Sequence, residues 1–283
     1  MEEEKKSNKK VFIIIAIIAL AIIVIMVFVN KNKSIKPQYD NQGNPIYISN
    51  TEVNNIFTSA DPYIGKFVDF TGKILSTPET LNGTVSFQVY TDPKNYTNTI
   101  IVYCSQNIIT EELKADDFVK LTGYVGGTYT GQNALNMTII NPMIIGTKVE
   151  KSTYKDVVMP TIKEVNYENK IIDQNGYVIE IKKVEFAKEE TRIYVKAINN
   201  AKSDFSLYSF NSKIIQGNKQ YDEESNYDAN YPEIQSDIKP GITSEGVLCF
   251  KAIDQNNFTL IIEGSSDDYS IDLKDYTYNL DIE

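Results

Sequence analysis

The sequence predicts an all-β protein carried behind a single N-terminal transmembrane helix, with a small barrel first and an antiparallel sandwich after it. Three observations predict this. Residues 11–29 are 19 consecutive apolar residues. Beyond residue 50 the apolar residues recur in short runs with a period of two, the signature of strands with one buried face. Turn-forming pairs punctuate those runs: Asn82-Gly83, Asp92-Pro93, Gly126-Gly127 and Asn199-Asn200.

The apolar run fixes the expected organisation. At about 1.5 Å per residue, a helix of this length covers close to 30 Å, the thickness of a bilayer core. A soluble core helix would carry a polar stripe, and this run has none. A secretory signal peptide has a shorter apolar region ending at a small-x-small site. Ala19-Leu20-Ala21 has that spacing but lies mid-run, with eight apolar residues still to come. The run is therefore expected to remain as an anchor. Lys5, Lys6, Lys9 and Lys10 precede it, and Lys31, Lys33 and Lys36 follow it. That bias puts the tail, residues 1–10, in the cytoplasm and the bulk of the chain outside. Residues 30–50, polar and interrupted by Pro37, Gly43 and Pro45, read as a linker.

Composition narrows the chemistry. The 283 residues carry 28 basic and 38 acidic groups, a net charge of −10, with no His and no Trp. Arg192 is the only arginine. Residues 156–283 alone hold 13 basic against 24 acidic groups, a net −11. This charge opposes nucleic-acid binding, for which a basic surface is the electrostatic footprint. The absence of His removes Ser-His-Asp and Cys-His catalysis and imidazole–metal sites. No phosphate-cradling glycine loop occurs. No cofactor and no metal site is expected.

The first domain is expected over residues 51–146. A short helix capped by Thr51 is predicted over 51–60, ended by Asp61-Pro62. Strands are predicted over 66–75, 85–89, 98–105, 118–126 and 135–145, with a short helix over 110–116. The segments Tyr63-Ile64-Gly65-Lys66-Phe67-Val68-Asp69-Phe70-Thr71-Gly72-Lys73 and Asp117-Phe118-Val119-Lys120-Leu121-Thr122-Gly123-Tyr124-Val125 resemble the OB-fold family akin to tRNA-anticodon-binding domains. The resemblance covers about 95 residues and implies a five-stranded barrel with a ligand-binding face. The polar faces include Asp69, Lys73, Ser86, Gln88, Tyr90, Lys120 and Tyr124, read as ordinary strand residues.

Residues 147–160 read as a junction ending at Pro160, and residues 161–283 as an antiparallel sandwich. Strands are predicted over 177–186, 191–199, 205–210, 212–215, 246–252, 258–263 and 269–273. Gly176-Tyr177-Val178-Ile179-Glu180-Ile181, Ile193-Tyr194-Val195-Lys196-Ala197-Ile198-Asn199-Asn200 and Gly246-Val247-Leu248-Cys249-Phe250 resemble a bacterial extracytoplasmic immunoglobulin-like family of unknown function. That family implies a surface module and no catalytic residues. The Trp and paired cysteines of antibody domains are absent.

Paired carboxylates are the catalytic means left, since glycosidases need only two. Asp116-Asp117, Glu189-Glu190 and Asp267-Asp268 qualify by composition and are expected to be solvated loops. Asp173-Gln174-Asn175-Gly176 reads as a turn rather than a calcium loop. Cys104 and Cys249, each in an apolar run, read as small buried hydrophobes, with a bond between them as the alternative. The polar run 221–232, with Tyr221, Tyr227 and Tyr231, is expected to be a solvated loop or a partner contact, because tyrosines in long loops on rigid sandwiches supply recognition. The sequence thus predicts a membrane-anchored, non-enzymatic binding or assembly protein of a bacterial cell envelope, its partner an envelope protein or glycan. A carboxylate-dependent envelope hydrolase, and a structural part of a secretion, conjugation or sporulation complex, are the alternatives.

Overall fold

A computed structural model describes residues 35–132 and 138–283. The predicted anchor, residues 11–29, lies outside the described residues, as does the tail. Among the described residues no helix is long and apolar enough to cross a membrane. Among the described residues the regular structure is mostly strand, and the chain divides into two compact units at Thr153/Tyr154.

In the first unit six strands form one sheet: β1 (Phe67–Ile74), β2 (Glu79–Leu81), β3 (Thr84–Asp92), β4 (Thr97–Ser105), β5 (Phe118–Gln132) and β6 (Thr138–Ser152). The order is β1-β5-β6-β4-β3-β2, and β1 also pairs with β3 through Lys73↔Tyr90 and Ile74↔Val89. Five strands thus close on themselves, which leaves a barrel whose interior takes alternate side chains. All pairings are antiparallel except β4 with β6. Val68, Ile74, Val85, Phe87, Val89, Ile100, Val102, Val119, Leu121, Val125 and Ile144 fill the interior. Gly72 makes closure possible. A Cβ there would lie 2.2 Å from the Tyr90 carbonyl oxygen, so only glycine lets β1 and β3 approach.

Several local expectations are revised. Gly126-Gly127 is not a turn: both residues lie within β5, where the register to β6 shifts between Val125 and Gly127. Gly127 has φ of +116°, which glycine adopts without a Cβ clash, and the bulge bends the strand from the barrel into a long arm with β6. The predicted helix over 110–116 does not form. The one over 51–60 is a single 3-10 turn, Val53–Phe57, without a side-chain cap. The strand β6 runs on to Ser152, through what reads as junction. Part of the linker also belongs to this unit. Tyr47 bridges Phe67, Ile48 is buried, and the Tyr39 and Tyr47 rings sit 5.6 and 5.8 Å from that of Phe67.

The second unit begins with a single helical turn, α1 (Tyr154–Val157). Its first sheet holds β7 (Lys163–Asn166), β8 (Ile171–Gln174), β9 (Tyr177–Phe186), β10 (Glu190–Asn199) and β14 (Thr243–Lys251), in the order β14-β10-β9-β7 with β8 also on β9. Its second sheet holds β11 (Phe205–Gln216), β12 (Lys219–Asp222), β13 (Asp237–Ile238), β15 (Phe258–Ser266) and β16 (Tyr276–Leu280), in the order β12-β11-β15-β16 with β13 on β11. Ile179, Ile181, Val184, Ile193, Val195 and Leu248 from one sheet share a core with Phe205, Leu207, Leu260, Ile262, Tyr276 and Tyr278 from the other. Two tyrosines stitch the layers: Tyr276 and Tyr278 donate their hydroxyls to the Tyr177 and Ile179 carbonyls at 2.9 and 2.6 Å.

The two strands expected over 205–215 are one strand with an irregularity between Tyr208 and Lys213. The last strand is 276–280 rather than 269–273, because the apolar side chains that reach the core there are Tyr276, Tyr278 and Leu280. Asp173 to Gly176 is the β8–β9 hairpin turn: Asn175 and Gly176 have positive φ, and the Gly176 N–H donates to Asp173 Oδ1 at 2.7 Å.

Replacing Gly72 with Ala should test the barrel closure. The new methyl must push β3 from β1, and overpacking of this kind costs about 1–3 kcal/mol. Thermal unfolding should show a lowered midpoint. An unchanged midpoint would mean that β1 and β3 do not meet at Tyr90.

Candidate functional site

The most concentrated polar chemistry of the second unit lies around Arg192. Its position follows from register. The turn after Phe186 sets Glu185 opposite Arg192, and β14 sets Cys249 opposite Arg192 on the other side. Side chains two apart on a strand share a face, so Glu190 joins them. The face is the outer one, opposite the sandwich core. The entry segment 154–161 and the loop 223–235 supply groups that cover it.

Arg192 is fully buried. Its guanidinium donates Nε–H to Glu185 Oε2 at 3.0 Å and Nη2–H to Thr161 Oγ1 at 2.7 Å. From Nη1 it donates to the Met159 carbonyl at 2.9 Å, to Glu190 Oε1 at 2.6 Å and to the Tyr231 hydroxyl at 3.2 Å. Five acceptors surround it, but unevenly: the two Nη1 hydrogens serve three of them, while Nη2 bonds only Thr161. Glu185, also fully buried, further accepts from Lys155 Nζ at 2.8 Å, from Lys183 Nζ and from the Thr161 hydroxyl at 3.0 Å. Glu190 accepts from the Tyr231 hydroxyl and from Asn226 Nδ2 at 2.9 Å. Lys183 also lies over the Tyr194 ring, 4.4 Å from its centroid.

Burial works against the Glu185 carboxylate, but hydrogen bonds from Lys155 and Lys183 and the charge of Arg192 outweigh it and draw its pKa down to about 2. Burial, and then the bond to Glu190, push the Tyr231 hydroxyl well above its usual range. The Cys249 thiol, 3.5 Å from Glu190 Oε2, is pushed up to about 12 by burial and by that carboxylate. Burial alone raises Cys104 to about 11. Both cysteines are free and buried, and both are held as thiols, the unreactive form.

Chemically, this arrangement holds rather than reacts. A general acid needs a raised pKa and access to substrate. Glu185 has neither, and every bond the guanidinium makes is to a member of the cluster. The Glu189-Glu190 pair is corrected here: Glu190 is not solvated but buried in the cluster. The other pairs stay at the surface, as expected, with local partners. Asp117 accepts from the Lys114 N–H and Lys151 Nζ, Asp116 pairs with Lys73 at 3.0 Å, and Asp268 accepts from the Ser270 N–H and hydroxyl. Among the described residues no group of three or more acidic or Cys side chains is placed to hold a metal ion.

The structure assigns the three tyrosines of the 221–232 run different places. Tyr221 lies on β12 and packs at the margin of the core. Tyr231 is tied into the arginine cluster. Tyr227 alone points to solvent, 87% exposed. The cluster's own members were missed as a group in the sequence. The signal was there: an alternating strand with charges at 190, 192 and 196 on one face, preceded by a hairpin that sets residue 185 opposite residue 192.

No protein family matches the chain, and no curated protein does. A solved structure described as a functionally unknown protein from Listeria monocytogenes EGD-e is similar over 44% of this chain and 88% of its own length, at 10% identity and a TM-score of 0.36. A likeness at that score carries no argument about fold or function.

Three outcomes follow from the cluster. Glu185 has a folded pKa depressed from 4.5 to about 2, so its stabilisation is present above about pH 4.5 and is lost as pH falls toward 2. At 1.36 kcal/mol per pH unit the loss is on the order of 3 kcal/mol, read as a falling denaturant midpoint across that window. Replacing Arg192 with Met strands two buried carboxylates and should cost about 3–5 kcal/mol at pH 7. Tyr231→Phe should lower the melting midpoint, while Tyr227→Ser should leave it unmoved. Equal effects of these two tyrosine changes would refute the assignment of Tyr231 to the cluster.

Proposed function

We propose that the chain is a single-pass, membrane-anchored extracytoplasmic protein of a bacterial cell envelope that binds or assembles with an envelope partner and has no catalytic activity. The observation that carries this reading is the burial of Arg192 and its two carboxylates within one inward-bonded cluster. The strongest concentration of acids and bases in the second unit is spent on joining the entry segment, three strands and a loop. The apolar run 11–29 supports the anchor, and the lysine bias supports an outside location for the two β-units.

The closed five-stranded cycle supports reading the first unit as an OB-type barrel, and the two packed antiparallel sheets support an immunoglobulin-like reading of the second. Side chains exposed on these units provide contact area: Tyr227 at the loop tip and Phe210, 65% exposed, on β11. The acidic charge favours a protein or glycan partner over nucleic acid.

Crosslinking in intact cells followed by pull-down of the full-length chain tests the reading. A defined envelope protein or glycan should be recovered, and protease added to wall-stripped cells should remove both units. A protected C-terminus would overturn the topology. Cleavage of wall glycans by the purified chain, lost when an acidic pair is neutralised, would overturn the non-catalytic assignment.

A further inference from the structure

An edge strand exposes a row of backbone N–H and C=O groups that another strand can pair with, so proteins cover or blunt such edges. In the first sheet of the second unit, β14 is that edge. It pairs with β10 along one side only, and the loop 223–235 runs along the other. The Glu224 N–H donates to the Cys249 carbonyl at 2.8 Å, the Val247 N–H donates to the Pro232 carbonyl at 2.8 Å, and the Gln235 N–H donates to Ser244 Oγ at 2.8 Å. As the loop number rises the strand number falls, so the loop runs antiparallel to β14, as a neighbouring strand would. Glu224 also reaches Lys251 Nζ at 2.9 Å, imitating a cross-strand ion pair. At Gly246 the approach is so close that a Cβ would lie 2.3 Å from the Ile234 nitrogen. Tyr231 and Asn226, bonded to Glu190, fasten this strap to the sheet.

We propose that the strap is a resident stand-in for a strand, and that the β14 edge beneath it is a docking edge for the same edge of a second copy of this chain. The second copy is argued from charge. The outward backbone groups of β14 alternate, with Val247 and Cys249 pointing to the strap. An antiparallel self-pairing centred on Leu248 sets Val247 opposite Cys249 of the second copy. The same register sets Glu245 opposite Lys251, so each half supplies one acid and one base. Such a pairing is isologous and closes at two copies. Lys251 then exchanges the strap's Glu224 for the second copy's Glu245. This proposal does not depend on where the chain resides.

The test uses the full-length chain in a mild detergent, with protein mass from sedimentation and amide exchange at Val247. The wild-type chain should be monomeric with Val247 protected. Tyr231→Phe combined with Asn226→Ala should loosen the strap. Val247 exchange should rise at least tenfold at low concentration, and the protein mass should double at high concentration. Adding Glu245→Lys sets Lys against Lys251 and should return the monomer. Adding Lys251→Glu as well should restore the dimer. Gly246→Ala, which pushes the strap from beneath with its fastening intact, provides an independent release if the double variant does not fold. A strap-loosened variant that stays monomeric, or a dimer indifferent to the Glu245 and Lys251 exchange, would overturn the proposal, and so would an unchanged Val247 exchange in both released variants.

Discussion

One fully buried guanidinium determines how the second unit is held together outside its apolar core. Arg192 sits where strands β9 and β10, the entry segment and a loop converge, and each contributes an acceptor. A cation in this position is tolerable only because two carboxylates, two hydroxyls and a carbonyl replace its water. The arrangement is all or nothing. Complete, it fixes four pieces of chain in one geometry; with one member removed, it leaves a buried charge without its counterpart. That is why a protein with a single arginine can spend it on structure.

The two layers of the sandwich depend on a different logic. Apolar side chains with period two fill the space between the sheets, and burial of that area is the main stabilising term. The polar groups that enter the core do so with partners. The Tyr276 and Tyr278 hydroxyls find backbone carbonyls on the facing sheet, so they orient one layer on the other while their rings add apolar area. The barrel relies on closure instead. With β1 paired to both β5 and β3, its sheet has few open edges, and Gly72 is the residue whose missing side chain permits it.

These features have a common functional consequence. In the second unit Glu185 and Glu190 are buried and fixed by the cluster, whereas the aromatic rings of Tyr227 and Phe210 stand exposed.

The sequence by itself determined the β class, the two-part division and most strand positions, because alternation with a period of two is a local property of the chain. It also determined the hairpin turns at Asn82-Gly83 and Asn175-Gly176, where positive φ is required and Asn-Gly supplies it. The length of the apolar run 11–29 is the basis of the proposed anchor. What only the tertiary structure decided is where polar residues end up. Glu190 and Tyr231 have the composition of solvated loops, yet Glu190 is buried and Tyr231 half-buried, since segments distant in sequence fold over the outer face of the sheet. Gly126-Gly127 has the composition of a turn, yet it bends a long strand, because pairing with β6 on both sides of it outweighs the local preference. The strap beside β14 likewise pairs residue 224 with 249 and 232 with 247, contacts that no local pattern encodes. Local propensity specifies how a segment runs, while burial and partner choice are set by segments that meet only when the chain is folded.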